Sequence, residues 1–418
     1  MLRTQITLVR ALRALGLVAV TALVAACGGG GGGGDGGSGS GSGGGTQPAA
    51  NQATVTVARG VEGVANIAGV SVKVCVAGTT NCQTINNIQL DTESFGLRLA
   101  GAAATQVAAA LQPVRVAGNP VAECSAFADG FTWGSIRTAD VTIGGETAAA
   151  IPIQIVGDMP QSAVATGGCS TGALELTPAD LGANGILGVG VAPNDCGALC
   201  ATPPAGNSSY YVCPNGTNCV QTVMPVSQQV ANPVAKFPTD NNGVIVSMPA
   251  IAPSGQATVT GTVTFGINTQ SNNAMPSTVT KLTTNASGDV NATFNGSALV
   301  AFFDSGSNAY FFTDTTLPAC TGNASAFYCP TSTTTRTVTV ASYNPSTSGA
   351  PGGKTLSMSV ANASQLLANG NFGLNDLAGS LGNGATFVDL GMPFFYGQTV
   401  YYGMDRSGTG GSSPFVAF

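Results

Sequence analysis

Two stretches of this chain carry the same short pattern, and that duplication restricts the folds open to it more than any other feature. Residues 88–99 read I-Q-L-D-T-E-S-F-G-L-R-L, and residues 299–312 read L-V-A-F-F-D-S-G-S-N-A-Y-F-F. In each, an apolar strand runs to an aspartate, Asp91 or Asp304. Small hydroxyl residues then make a tight turn, and an apolar strand resumes. Asp91 precedes Leu187-Gly188 by 96 residues and Asp304 precedes Leu390-Gly391 by 86, so a similar apolar-glycine segment follows each unit. A repeat on this scale predicts two similar β lobes. Two carboxylates presented by duplicated turns are also what acid-base chemistry with a shared proton requires.

The rest of the chain reads as β structure around these units. The run T-V-T-V at 54–57 opens the first lobe. Residues 70–76 and 84–90 flank a turn at 77–81 that Cys75 and Cys82 would staple as a hairpin. Residues 103–111 are rich in alanine and predict a short helix ending before Pro113. Residues 131–143 alternate around Gly134, and Gly144-Gly145 turn the chain into a partner at 151–156. A short turn or helix is expected at 177–180, a buried strand at 184–190 and a helix at 362–367 ended by Gly370. The expected organisation is a signal segment at 1–26, a Gly/Ser-rich tether at 27–53, a first lobe at 54–230 with a Cys-rich excursion at its end, and a second lobe at 231–418.

The N-terminus sets the expected compartment. Arg3, Arg10 and Arg13 precede a short apolar run that ends L-V-A-A-C at Cys27, the pattern of a signal peptide rather than a membrane span. The ending resembles a bacterial lipobox. It implies a lipid on Cys27 and, with glycine at position 28, an anchor in the outer membrane of the cell envelope. Residues 28–53, almost all small, would act as a spacer with a reach of roughly 25–30 Å. Without its first 26 residues the chain keeps ten basic residues against nineteen acidic, a net charge of −9, which argues against a nucleic-acid partner.

Cys27 leaves ten of the eleven cysteines, an even number suited to an oxidising compartment. Nearest neighbours would pair Cys75 with Cys82, Cys124 with Cys169, Cys196 with Cys200, Cys213 with Cys219 and Cys320 with Cys329, although spacing alone leaves the connectivity open. A zinc site from Cys196, Cys200, Cys213 and Cys219 is the competing reading of that segment. The chain has no histidine, which removes every Ser-His and Cys-His mechanism.

Taken in order, the landmarks over residues 54–418 resemble the pepsin-like aspartic peptidases, and more closely a family of uncharacterised bacterial lipoproteins that share them. The D-T-G-S loop of that fold is similar to Asp91, Thr92, Glu93 and Ser94, and the second loop to Asp304, Ser305, Gly306 and Ser307. The flap Y-G looks like Trp133-Gly134, and the I-L-G segments look like residues 186–189 and 388–395. The resemblance implies an all-β, bilobal acid-protease double barrel with a cleft between duplicated lobes. It also implies an aspartic endopeptidase acting through Asp91, Asp304 and an activated water, with no cofactor and a polypeptide substrate. Thr92 and Ser305 would cross-bond the loops, Ser94 and Ser307 would bond the outer carboxylate oxygens, and Trp133 would close over substrate. Glu93 departs from the motif glycine and adds a third carboxylate beside the pair, with Arg98 as a candidate counter-charge. Two further readings stay open: a peptide-binding pseudopeptidase that uses the same cleft, and a β-rich structural protein of the envelope. The sequence leaves the oligomeric state open.

Overall fold

The computed structural model describes residues 49–418 apart from 129, 165–171 and 383. The signal segment, Cys27 and most of the tether lie outside the described residues, as does Cys169 and with it the expected Cys124–Cys169 pairing. Among the described residues, no helix is long and apolar enough to cross a membrane. The strands there fall into sheets of 18 and 7 members, with only short helical turns between them.

The architecture is all-β, and its two halves repeat one strand arrangement. In the first half, Cys82–Asp91 runs parallel to Gly185–Val189, with Leu90 opposite Leu187 and Asp91 opposite Gly188. Gly185–Val189 is also antiparallel to Phe95–Ala100, the strand that leaves the aspartate turn. In the second half, Ser297–Phe303 runs parallel to Phe387–Leu390, with Phe303 opposite Leu390. Phe387–Leu390 is in turn antiparallel to Tyr310–Phe312. Each aspartate turn is therefore clamped by a strand lying between its incoming and outgoing arms. That clamp needs glycine: a Cβ at Gly188 would lie 2.5 Å from Phe95 N, and one at Gly391 would lie 2.1 Å from Ala309 O.

Within the larger sheet a further set of strands joins the halves. Gln52–Val57 pairs antiparallel with Val259–Phe265, which pairs with Gly243–Ser247, which pairs with Thr399–Gly403. The first strand therefore begins at Gln52, two residues before the expected start of the first lobe, and it pairs with second-half residues. Alternation explains the placement: Ala53, Val55 and Val57 are buried in the main core, which continues through Val263, Phe265, Phe303 and Leu390.

Local expectations met different fates. The disulfides Cys75–Cys82, Cys196–Cys200, Cys213–Cys219 and Cys320–Cys329 are formed, so the four cysteines of the zinc alternative are two disulfides. Capped helical turns form at Pro178–Leu181, where Thr177 and Asp180 make a capping box, and at Ala363–Leu367. The helix expected at 103–111 shrinks to the single 3-10 turn Ala108–Ala110. Gln83 of the neighbouring strand donates to Ala103 O and accepts from Gln106 N, taking backbone groups that a helix would have used.

Candidate active site

Asp91 ends the strand Cys82–Asp91, and Asp304 directly follows Ser297–Phe303. The clamping strands bring both turns to one place. The two carboxyl groups lie against each other. Both also crowd the bare face of Gly306, where a Cβ would lie 2.8 Å from Asp91 Cγ and 3.0 Å from Asp304 Oδ1. Glycine at 306 is thus required by the approach of the opposite carboxyl.

The turns are cross-bonded as expected. Thr92 Oγ1 donates to Phe303 O at 2.9 Å and accepts from Ser305 N at 2.9 Å, while Ser305 Oγ donates to Leu90 O at 2.8 Å. Thr92 and Ser305 are buried, so these bonds tie the halves together in a site sheltered from water. Two further ties were not read from the sequence. Gln89 Nε2 donates to Gly306 O at 2.6 Å, and Tyr402 of the joining sheet donates its hydroxyl to Phe303 O at 2.7 Å. Neither residue lies in a motif, and the only sequence signal for Gln89 is a polar residue two positions before Asp91 on a buried strand.

The two carboxyls are served differently. Asp91 Oδ1 accepts from the backbone N–H of Glu93 at 2.8 Å and of Ser94 at 3.1 Å. Asp304 Oδ1 accepts from Gly306 N at 2.8 Å, and Asp304 Oδ2 lies 2.8 Å from Ser307 Oγ. Burial pushes Asp304 up to about 8, helped by the negative charge of Asp91, while the bonds from Ser307 and Gly306 pull the other way. Burial and the surrounding carboxylates likewise raise the Tyr402 phenol, which stays a neutral donor.

Three expectations are corrected here. Ser94 Oγ makes no hydrogen bond, and only its backbone N–H reaches Asp91, whereas Ser307 does bond its carboxylate. Trp133 is no flap. It lies fully buried in Gly130–Ile143, against Tyr211 with ring centroids 5.3 Å apart. Its strand is paired on both sides, with Cys124 opposite Trp133 and Val156 opposite Gly134, so neither residue is placed to close over the pair. Arg98 is not a counter-charge for Glu93. It is buried in salt bridges to Glu123 at 2.8 Å and Asp195 at 3.1 Å, and it donates to Phe95 O. Tyr210 completes that cluster by donating to Asp195. Burial and the neighbouring Glu123 raise Asp195 well above the usual carboxylate range.

Glu93 keeps the turn, since its N–H reaches Asp91 without a positive φ. Its half-buried side chain crosses to the second half, where a Cβ at Gly288 would lie 2.5 Å from Glu93 Oε1. Glu93 therefore lies beside the pair rather than between its members.

A family model described as "Protein of unknown function (DUF3443)" matches residues 47–418. No curated protein matches the chain. Among solved structures, the aspartic proteinase from Irpex lacteus is similar at 16% identity, with 88% of this chain and 97% of that one covered and a TM-score of 0.46.

Proposed function

The chain belongs to the DUF3443 family, and from the site that its two halves build we propose that it is an aspartic endopeptidase. The observation that carries this reading is the close approach of the Asp91 and Asp304 carboxyls around Gly306, with Asp304 pushed up to about 8. Near neutral pH such a pair holds one proton. The ionised member takes a proton from a water that attacks the peptide carbonyl, and the protonated member donates to the carbonyl oxygen. The backbone donors on Asp91 Oδ1 suit it to the base, and the raised Asp304 suits the acid. Collapse of the tetrahedral intermediate then passes a proton to the leaving amine and restores the pair.

The substrate class proposed is unfolded polypeptide, and the L-V-A-A-C ending at Cys27 supports a lipid-anchored enzyme of the outer membrane. The test is cleavage of denatured casein by the full-length protein, with pepstatin and Asp304→Asn as controls. Cleavage lost in both controls supports the reading, and its absence at every pH refutes it. Replacement of Cys27 by alanine should release the protein from membranes, and continued membrane association would refute the anchor.

A second reading is favoured by Glu93, which stands where the motif has glycine and reaches across to Gly288. In that reading the cleft holds peptides without turnover. Saturable binding of a casein peptide with no product would select it.

A further inference from the structure

Ser307 touches two carboxyl groups. Its Oγ lies 2.8 Å from Asp304 Oδ2 and 2.6 Å from Asp389 Oδ2. Asp389 lies on Phe387–Leu390, the strand that clamps the Asp304 turn, and is only 6% exposed. A serine hydroxyl has one proton to give. With both carboxyls ionised, one of these short contacts would be two acceptors facing each other with no proton between them. One contact must therefore be filled by a carboxylic acid that donates to Ser307. The two carboxyls joined through Ser307 therefore hold at least one carboxyl proton between them.

The duplicated half shows that this is not a general feature of the fold. By strand register, Leu390 and Leu187 hold equivalent places, so Asp389 corresponds to Ile186. Ile186 packs on Ala100 and Leu181, and Ser94, which corresponds to Ser307, leaves its hydroxyl without a bond. The second half alone carries a buried carboxyl behind its serine.

We propose that Asp389 is a positioning residue for the catalytic pair, which aims the Ser307 hydroxyl and exchanges a proton with Asp304 through it. This rests on the peptidase reading of Asp91 and Asp304. In the exchange, the Asp389 proton passes to Ser307 Oγ as the Ser307 proton passes to Asp304 Oδ2. Asp389 becomes the carboxylate and Asp304 the acid, with no other atom moved. The side of Asp304 away from the cleft thus has its own proton source. The titratable groups around the relay are Asp304 and Asp91 on the turns and Glu93 beside them. Tyr310 lies on the adjacent strand with Asp376 behind it, and Tyr402 lies in the joining sheet.

The test combines an infrared count of protonated carboxyls with the pH profile of cleavage, on full-length wild type, Asp389→Asn and Ser307→Ala. At about pH 6, Asp389→Asn should lose one protonated-carboxyl band and keep the band from Asp195. The amide introduced by that substitution would hold Ser307 as a permanent donor to Asp304, so the alkaline limb should move down by roughly one pH unit, a tenfold change in the protonation equilibrium. Ser307→Ala should make the bands of Asp389 and Asp304 titrate independently, and it decides the matter if Asp389→Asn fails to fold. An unchanged band count and limb in Asp389→Asn, or bands that still titrate together in Ser307→Ala, would overturn the proposal. The infrared result needs no turnover. A wild type that cleaves nothing but loses the band in Asp389→Asn refutes the peptidase reading and leaves the proton relay standing.

Discussion

Asp304 should leave a signature in stability that can be read without a substrate. Its carboxyl ordinarily titrates at 3.8 and is pushed up to about 8 in the folded chain by burial and by Asp91. Between those values the folded protein binds a proton that the unfolded chain has released, so stability falls as pH rises through the window and levels off above about 8. The whole interval corresponds to roughly 6 kcal/mol. Asp304 is only half-buried, so solvent screens the charge and the expected loss is about 3 kcal/mol. Denaturant unfolding of wild type and Asp304→Asn near pH 4.5 and pH 8.5 isolates this contribution, because other raised groups such as Asp195 are common to both proteins. Wild type should lose about 3 kcal/mol more than the variant between the two pH values. Parallel losses, within about 0.5 kcal/mol of each other, would refute the placement of the proton on Asp304 and with it the acid role given to that residue.

Gly306→Ala would put a methyl group 2.8 Å from Asp91 Cγ, and it should cut cleavage by at least roughly a hundredfold while costing only about 1–3 kcal/mol of stability. A variant with both normal activity and normal melting would show that the carboxyls are not in contact. Arg98→Met leaves Glu123 and Asp195 buried without their cation. It should cost about 3–5 kcal/mol near pH 8.5 and distinctly less near pH 4.5, where the raised Asp195 carboxyl takes up a proton; calorimetry at the two pH values checks the difference. Glu93→Gly removes the side chain that reaches Gly288 and should raise kcat/KM on denatured casein several-fold, and an unchanged value would mean that Glu93 does not obstruct substrate.

What was legible in the sequence is what is decided within a few residues. The run from Leu90 through Asp91 to Phe95 spells a strand, a turn and a strand, and near-neighbour cysteines such as Cys75 and Cys82 close the hairpins that their spacing suggests. What was not legible depends on partners brought from far along the chain. Trp133 alternates in a strand like any exposed aromatic, and only the strands Asn119–Ala126 and Glu146–Val156 on either side of it fix it in the core. Arg98 lies five residues after Glu93, but the buried acids Glu123 and Asp195 outcompete a half-buried carboxylate for its charge. Asp389 sat in plain view inside an apolar strand, and nothing local said that Ser307, 82 positions away, would meet it.

The duplication also explains how two turns of one design come to play unequal parts. Their backbones are matched, each aspartate being held beside a glycine of the clamping strand, so any chemical difference must come from the positions where the sequences differ. Position 306 is glycine because Asp91 crowds it, whereas the equivalent Glu93 carries its side chain away toward Gly288. Asp91 is bonded on one oxygen by two backbone N–H groups, which can only donate and so favour an ionised partner. Asp304 has one such N–H and a hydroxyl that can donate or accept, and behind that hydroxyl stands another carboxyl instead of Ile186. A fixed pair of donors suits a group that stays charged, and a reversible one suits a group that must gain and lose a proton in each turnover. In the proposed peptidase the base would therefore fall to Asp91 and the acid to Asp304, for reasons that lie in the residues around the two carboxyls and not in the aspartates themselves.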